Sequence, residues 1–202
     1  MRKLLSVAIV LGVLIETAVQ AQQTVVPGRS IGRISLGMPS TKVWKHLGKP
    51  TEIHFLHLAG RSYTWDEWQN DQHREFVTSY RGQVVQIERD TTYTEAQINY
   101  GDWRGSTFSV IRKQHPHLNA ALYSLSQETG AVALIDDRRQ GIAWSLFLLH
   151  TDDFRTGLFN TVGPDKIIVH RRGYAVLRDV GEVADEHNPL LDDLRAWCSA
   201  KS

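Results

Sequence analysis

The residues that could do chemistry in this sequence are nine histidines, one cysteine and several adjacent aspartates. A metal site needs ligands at spacings that one or two elements can bring together. His54 and His57 point to opposite faces of a predicted strand, while His115 and His117 flank a proline with no thiol or carboxylate at an established ligand spacing. The histidines are therefore interpreted as ordinary surface or core residues, and no metal and no cofactor are predicted.

The acidic pairs and the cysteine are interpreted in the same way. Asp136-Asp137 and Asp152-Asp153 lie in predicted loops, and adjacent carboxylates without oxygen ligands at alternating positions do not make a calcium loop. They are expected to be solvated turns. Cys198 cannot form an intrachain disulfide because it is the single cysteine, and it is expected to be a packed residue of a terminal helix.

Nucleophile and phosphate-binding motifs are absent from the sequence. It contains no Gly-x-Ser-x-Gly elbow, His-Glu-x-x-His pair, phosphate loop or dinucleotide fingerprint. No catalytic residue is therefore predicted. The alternative is a periplasmic or secreted hydrolase whose site is assembled from distant residues.

Three aromatic residues are the candidates for partner binding, namely Tyr63, Trp65 and Trp68. They lie beside and within a polar stretch from Asp66 to His73 that is predicted to be a loop. Large aromatic residues on a sheet face without a helix could anchor a partner protein. The alternative is that Tyr63 and Trp65 pack beneath a helix, as most large aromatic residues do.

Residues 1–21 have the organisation of a secretory signal peptide. Arg2 and Lys3 precede a mostly apolar run from Leu4 to Ile15, which is too short to span a membrane. We expect cleavage after Ala21 and a soluble mature protein in the periplasm or outside the cell. A lipid anchor is not expected, because no cysteine lies near the cleavage site.

The charge of the chain is nearly balanced, with 23 Lys and Arg against 22 Asp and Glu. Loss of Arg2, Lys3 and Glu16 with the signal peptide makes the balance complete. Binding to nucleic acid would require an excess of clustered basic residues. A nucleic-acid partner is therefore not predicted.

A short helix is predicted within the segment 28–50. Pro39 suits the first helical position, whereas Ser40 or Thr41 could instead cap the helix, and Gly48 ends it. Its apolar stripe is expected to face a sheet and consists of Val43, Trp44 and Leu47.

Period-two patterns after Pro50 predict four antiparallel strands. A strand near residues 53–58 turns at Ala59-Gly60, and Arg81-Gly82 joins a later hairpin in which Val85 and Ile87 share one face. A second helix, capped by Ser106 and ending at His115-Pro116, precedes four more predicted strands and a charged loop. These lie at residues 122–126, 131–136, 141–149 and 166–171, with the loop at 136–140. Asn188 and Pro189 begin a terminal amphipathic helix.

The order of glycine, short helix and Leu-Gly-x-Pro resembles the repeat of the β-lactamase inhibitory protein-like and small outer-membrane assembly lipoprotein families. The same order occurs a second time with slightly different spacing, which suggests a tandem repeat. The residues of the first copy are Gly37, Ser40, Val43 and Pro50, and those of the second are Gly105, Ser106, Val110 and Pro116. The resemblance implies a short helix on an antiparallel sheet. It also implies that the protein binds or scaffolds other proteins, since these families share no conserved catalytic apparatus.

The sequence thus predicts an α+β protein of two helix-plus-meander units with a C-terminal helix. The expected division is a signal peptide at 1–21, a first unit at 22–95, a second unit at 96–175 and a C-terminal extension at 176–202. The predicted function is that of an exported, non-enzymatic module that binds another protein of the envelope or extracellular space. No membrane span is expected in the mature chain.

Overall fold

The computed structural model describes residues 25–69, 74–90, 107–125, 130–148, 163–177 and 182–200. Twelve strands and three helices lie within these ranges. The strands are β1 (Val25–Val26), β2 (Ser30–Ile31), β3 (Ile34–Ser35), β4 (Glu52–Leu58), β5 (Arg61–Gln69), β6 (Arg74–Tyr80), β7 (Gln83–Asp90), β8 (Asn119–Leu125), β9 (Ala131–Asp137), β10 (Ile142–Leu148), β11 (Lys166–His170) and β12 (Glu182–Ala184). The helices are α1 (Ser40–Leu47), α2 (Phe108–Gln114) and α3 (Pro189–Ser199).

Nine of the strands form one antiparallel sheet in the order β12-β8-β9-β10-β11-β7-β6-β5-β4. The meanders β4–β7 and β8–β11 meet where β7 pairs with β11, with Ile87 opposite Val169. The predicted α+β class and the C-terminal helix are confirmed. The division into two repeated units, with boundaries at 95 and 175, stays a prediction.

All three described helices pack on one face of this sheet, which we call the helix face. Val43 of α1, Ile111 of α2 and Leu194 of α3 belong to one buried cluster with Ile87 and Trp144 of the sheet. The opposite face, here the second face, carries a smaller apolar cluster. That cluster consists of Leu134, Ala143, Ile168 and Val176. Strands β1 to β3, which were not predicted, form a separate small sheet that also packs into the larger core.

The start and the orientation of α1 differ from the prediction. Pro39 is the N-cap residue with extended backbone, and neither Ser40 nor Thr41 caps the helix through its side chain. Ser40 Oγ instead donates a hydrogen bond to Ser79 Oγ across 3.0 Å. Val43 faces the sheet as expected, but Trp44 is 39% exposed. The short helix turns one side to the core, so it buries Val43 and cannot bury the next residue as well.

The other two helices begin close to their predicted starts. The N-cap of α2 is Thr107, and Ser106 lies outside the described residues. Asn188 caps α3, since its side chain accepts a hydrogen bond from Leu190 N at 3.1 Å. Cys198 is buried on this helix, and burial raises the pKa of its thiol to about 12. It is a packed residue, as the sequence predicted.

Both predicted tight hairpins are present in the sheet of the first meander. Ala59-Gly60 and Arg81-Gly82 have positive φ at both positions, as a two-residue hairpin of this kind requires. The second hairpin contains a β-bulge, because Thr78 pairs with Gln86 while Ser79 pairs with Val84. The extra residue in the bulged strand shifts the alternation of its side chains between the two faces of the sheet. Val84, rather than the predicted Val85, therefore joins Ile87 in the core.

Two segments that were predicted to be loops belong to strands. Strand β5 continues to Gln69, so Asp66 and Glu67 are strand residues, and both are buried. Strand β9 likewise includes Asp136 and Asp137, which are also buried. In a sequence, charged residues usually indicate exposure to solvent. These four acidic side chains are buried instead, beside polar partners that only the folded sheet brings close to them.

Candidate functional site at the edge of the sheet

The three predicted partner-binding aromatic residues do not form one cluster. Tyr63 and Trp65 project from the second face, whereas Trp68 projects from the helix face, because successive strand residues alternate between faces. Trp68 is 8% exposed, and its Nε1 donates a hydrogen bond to Gly48 O at 3.0 Å. The alternative that Tyr63 and Trp65 pack beneath the helix is wrong, since α1 lies on the other face.

Aromatic packing occupies most of the surface of Tyr63 and Trp65. The Trp65 ring stacks on Phe76 with centroids 4.7 Å apart, and Tyr63 contacts Tyr80 at 5.2 Å. Lys166 Nζ lies 4.3 Å from the Phe76 ring centroid. Tyr63 is buried and Trp65 is half-buried, so little apolar area remains for a partner here. Partner binding by these residues stays a prediction.

A group of exposed apolar residues lies instead beside β4, on the helix face. Phe55 is 68% exposed, Ile53 is 40% exposed and Trp44 is 39% exposed. Ile53 is opposite Asp66 in the sheet, and Trp44 Nε1 donates a hydrogen bond to Asp66 Oδ2 at 2.8 Å. The indole of Trp44 therefore reaches toward Ile53, and Phe55 follows two residues along the same face. We call Trp44, Ile53 and Phe55 the edge patch.

The backbone of β4 is the second component of this site. Among the described strands, β4 is one of the two end strands of the large sheet, with β12 at the other end, and it pairs only with β5. An end strand presents a row of N–H and C=O groups that can pair with another extended chain. Seven residues of regular strand with an apolar patch on one side therefore form a template for strand addition.

Positive charge lies close to the edge patch. Helix α1 contains two lysines and a histidine but no acidic residue, and Lys49 follows its C-cap. All of these basic side chains are exposed, namely Lys42, Lys45, His46 and Lys49. This arrangement favours a segment that carries acidic residues beside its apolar ones.

A signal for the edge patch was present in the sequence. Strand β4 has apolar residues on both faces, with Ile53 and Phe55 on one and Leu56 and Leu58 on the other. A strand with one solvated face would alternate strictly between apolar and polar residues. Only the sheet order shows that the helices leave Phe55 exposed at an edge.

Asp66 links the edge patch to the core and should make stability depend on pH. Burial raises the pKa of Asp66, and the hydrogen bond from Trp44 only partly offsets this effect. The folded protein therefore binds the proton more tightly than the unfolded chain does. This carboxyl favours folding as pH falls through its folded pKa, and opposes folding once it is ionised above that value.

We therefore expect Asp66→Asn to raise the free energy of unfolding at about pH 7 and to lose this advantage near about pH 4. The amide oxygen can still accept the Trp44 hydrogen bond. Urea unfolding of both proteins across this range measures the difference. Asp193→Asn is the control for the same substitution at an exposed position on α3, where its effect on the free energy of unfolding should be small. A constant difference between Asp66→Asn and wild type at all pH values would contradict the prediction.

Two buried histidine–aspartate pairs correct the expectation of solvated turns at the end of β9. His115 Nδ1 lies 2.8 Å from Asp137 Oδ2, and His170 Nε2 lies 3.0 Å from Asp136 Oδ1. The first pair is on the helix face and the second is on the second face, because the two aspartates are adjacent in a strand. The other acidic pair, Asp152-Asp153, lies outside the described residues.

A cavity of about 30 Å³ lies beside Asp136. Its lining includes Asn119, Tyr123, Arg138 and Val176. This volume holds roughly two water molecules. It is too small to bind an organic substrate, so this cavity does not supply the composite site that a hydrolase would need.

Within the described ranges, the helices are too short and too polar for any of them to cross a bilayer.

Comparison with known proteins gives few matches to this chain. No protein-family profile matches the sequence. No curated protein matches it either.

Three solved structures have parts that are similar to this chain. An extracellular protein with an SCP domain from Bacillus anthracis is 12% identical over 67% of this chain and 44% of its own, at a TM-score of 0.40. A cysteine-rich secretory protein from Staphylococcus aureus is 10% identical over 82% of this chain and 56% of its own, at 0.41. The chain thus spans about half the length of these two proteins. A β-lactamase inhibitor-like protein from Streptococcus mutans is 13% identical over 58% of this chain and 78% of its own, at 0.27.

Proposed function

We propose that this protein is an exported, non-enzymatic module that binds another protein at the edge of its sheet. The observation that carries the proposal is the 68% exposure of Phe55 on β4, an end strand of the described sheet. Export rests on the predicted signal peptide at residues 1–21. The partner is a protein of the envelope or extracellular space.

Strand addition is the binding mode that fits this edge. An extended segment of the partner pairs with the outward N–H and C=O groups of β4, and those hydrogen bonds supply affinity. Alternate side chains of the segment contact Ile53 and Phe55, and this contact supplies selectivity. The exposed lysines of α1 favour acidic residues in the same segment.

Phe55 is the expected anchor of the complex. It is the most exposed of the large apolar residues described here, so a partner would remove more of its surface from water than of Ile53 or Trp44. Truncation of a central aromatic residue in an interface commonly costs about 2 kcal/mol or more. The corresponding loss of affinity is about 30-fold.

We expect Phe55→Ala to weaken partner binding by about 30-fold. The protein should stay folded, because the side chain is exposed. A partner captured from the native envelope by wild type would be identified, purified and titrated against each variant. Hydrogen exchange in the complex should show protection of the β4 amides. Tyr174→Ala is the matched control, because Tyr174 is also an exposed aromatic residue, at 54%, but lies outside β4.

Two further outcomes decide between the edge patch and the aromatic residues predicted from the sequence, which are Tyr63, Trp65 and Trp68. Loss of binding in Trp65→Ala, with Phe55→Ala unchanged, would move the site to the second face. Equal affinity of wild type and Phe55→Ala, or unprotected β4 amides in the complex, would overturn the proposal.

A further inference from the structure

Three potential metal ligands converge on the second face of the sheet, where β4 pairs with β5. These residues are Glu52, His54 and Glu67, and each offers a ligand atom within 4.8 Å of the other two. His54 Nε2 lies 3.1 Å from Glu52 Oε2. The cluster lies on the other side of β4 from the edge patch.

The strand geometry explains why these side chains meet. Glu52 and His54 are two residues apart in β4 and so project from the same face. Glu67 of β5 is directly opposite Glu52 in the antiparallel register. The His54 ring packs against Trp65 with centroids 5.0 Å apart, which fixes the position of the imidazole over the sheet.

The charges in the cluster favour a bound cation. Carboxylates that are directly opposite in neighbouring strands repel each other, and the burial of Glu67 strengthens the repulsion. His54 contacts Glu52, and Arg74 offsets part of the charge of Glu67, but each of the two carboxylates keeps a second oxygen that can bind a cation. A divalent ion between the three side chains would relieve the repulsion and use all three donors.

We propose that Glu52, His54 and Glu67 bind a divalent first-row transition-metal ion such as Zn²⁺. One imidazole nitrogen and two carboxylate oxygens are donors that such ions accept at about 2.0–2.2 Å. Ca²⁺ and Mg²⁺ prefer sites made only of oxygen ligands, so imidazole selects against them. Three protein ligands leave a fourth position for water or for a donor from another molecule.

Arg74 is the neighbour that orients Glu67. Its Nε donates a hydrogen bond of 2.7 Å to Glu67 Oε1, and the second oxygen of that carboxylate is the one assigned to the metal. Such an outer partner holds a carboxylate ligand in place. The arginine charge also opposes the cation, so the affinity should be lower than that of a buried zinc site.

The sequence contained part of the signal for this site in the form Glu-x-His, in which Glu52 directly precedes the predicted strand and His54 lies on it. His57 lies three residues from His54 and projects from the other face of the strand, whereas the carboxylate of Glu52, two residues away, shares a face with His54. Glu67 could not have been assigned without the register of β4 and β5, because it was predicted to lie in a loop.

The test is titration of the untagged mature protein with Zn²⁺ in competition with a chromophoric chelator. We expect binding by wild type and at least about tenfold weaker binding by His54→Ala, since even outer-shell substitutions cost a metal site this much. His57→Ala is the matched control, because His57 is also exposed in β4 but projects from the opposite face. Ca²⁺ and Mg²⁺ should not displace Zn²⁺.

Co²⁺ gives an independent measurement, because its visible absorption bands report the coordination by protein ligands. Glu52→Gln provides a second variant at an exposed position if His54→Ala fails to fold. The proposal would be overturned if wild type does not compete for Zn²⁺, or if the ligand variants bind as tightly as His57→Ala. Because Phe55→Ala should keep metal binding, failure of this proposal would be distinguishable from failure of the proposed protein-binding function.

Discussion

Val43→Asp should destabilise the protein by about 4 kcal/mol, because it places an unpaired carboxylate in the core beneath α1. Val43 is 1% exposed and belongs to the cluster that includes Val77 and Ile87 of the sheet. For a domain of this size the loss corresponds to a fall in melting temperature of about 8–16 °C. Thermal unfolding followed by circular dichroism measures it.

Lys42→Asp is the matched control for this prediction. It introduces the same carboxylate one residue earlier, at an exposed position in the first turn of α1. A negative charge near a helix N-terminus is weakly favourable, so the melting temperature should hardly change. If Val43→Asp does not fold, Val43→Ala should still cost about 2 kcal/mol. Similar shifts for the two aspartate variants would show that α1 packs through a different side.

Asp137→Ala should have an effect of comparable size, about 3 kcal/mol, because it leaves a buried histidine without its carboxylate partner. The side chains of His115 and Asp137 are only 3% and 2% exposed, and their atoms lie 2.8 Å apart. Asp137 Oδ1 also accepts a hydrogen bond from Gln140 N in the turn after β9. Denaturant unfolding should show a lower midpoint, and Asp137→Asn, which can keep a hydrogen bond, should lose less.

An exposed ion pair provides the control for this second prediction. Glu186 pairs with Arg195 at 2.9 Å, but the two side chains are 64% and 49% exposed. Such pairs contribute about 0–1 kcal/mol, so Glu186→Ala should shift the unfolding midpoint little. If Glu186→Ala and Asp137→Ala lose equal stability, the buried pair is not the reason for the loss.

The two proposed sites lie on opposite faces of one strand, and this allows a reciprocal test. Phe55 and His54 are adjacent in β4, so both variants disturb the same segment of backbone. Loss of partner binding in Phe55→Ala and loss of Zn²⁺ binding in His54→Ala, each without the other, would separate the two functions. A general disturbance of β4 would instead weaken both.

Much of the fold could be predicted from the sequence because its signals are local. The hairpin at Arg81-Gly82 needs positive φ at two adjacent residues, and glycine supplies one of them without strain. The α3 start at Asn188-Pro189 depends only on a capping side chain and on the ring of proline. These features require no knowledge of distant residues.

The candidate sites were less predictable because they depend on residues that are distant in sequence. Glu67 meets Glu52 only through the register of β4 and β5, and Asp136 meets His170 only across the sheet. The bulge beside Thr78 exchanges Val85 for Val84 in the core, and no residue type in that hairpin signals it. The sequence pattern therefore predicts loops at Glu67 and Asp136, where the structure has strands.

The sequence by itself determined the α+β class, the C-terminal ends of α1 and α2, the start of α3 and the tight hairpins. Capping, turn geometry and side-chain periodicity act within a few residues. The tertiary structure alone decided which side chains are exposed. Trp68 and Phe55 are both aromatic strand residues, yet Trp68 is buried and donates a hydrogen bond to Gly48 O, whereas Phe55 is exposed on an end strand. Exposure depends on the order of the strands and on the face that the helices cover, and both are set by contacts between residues far apart in the chain.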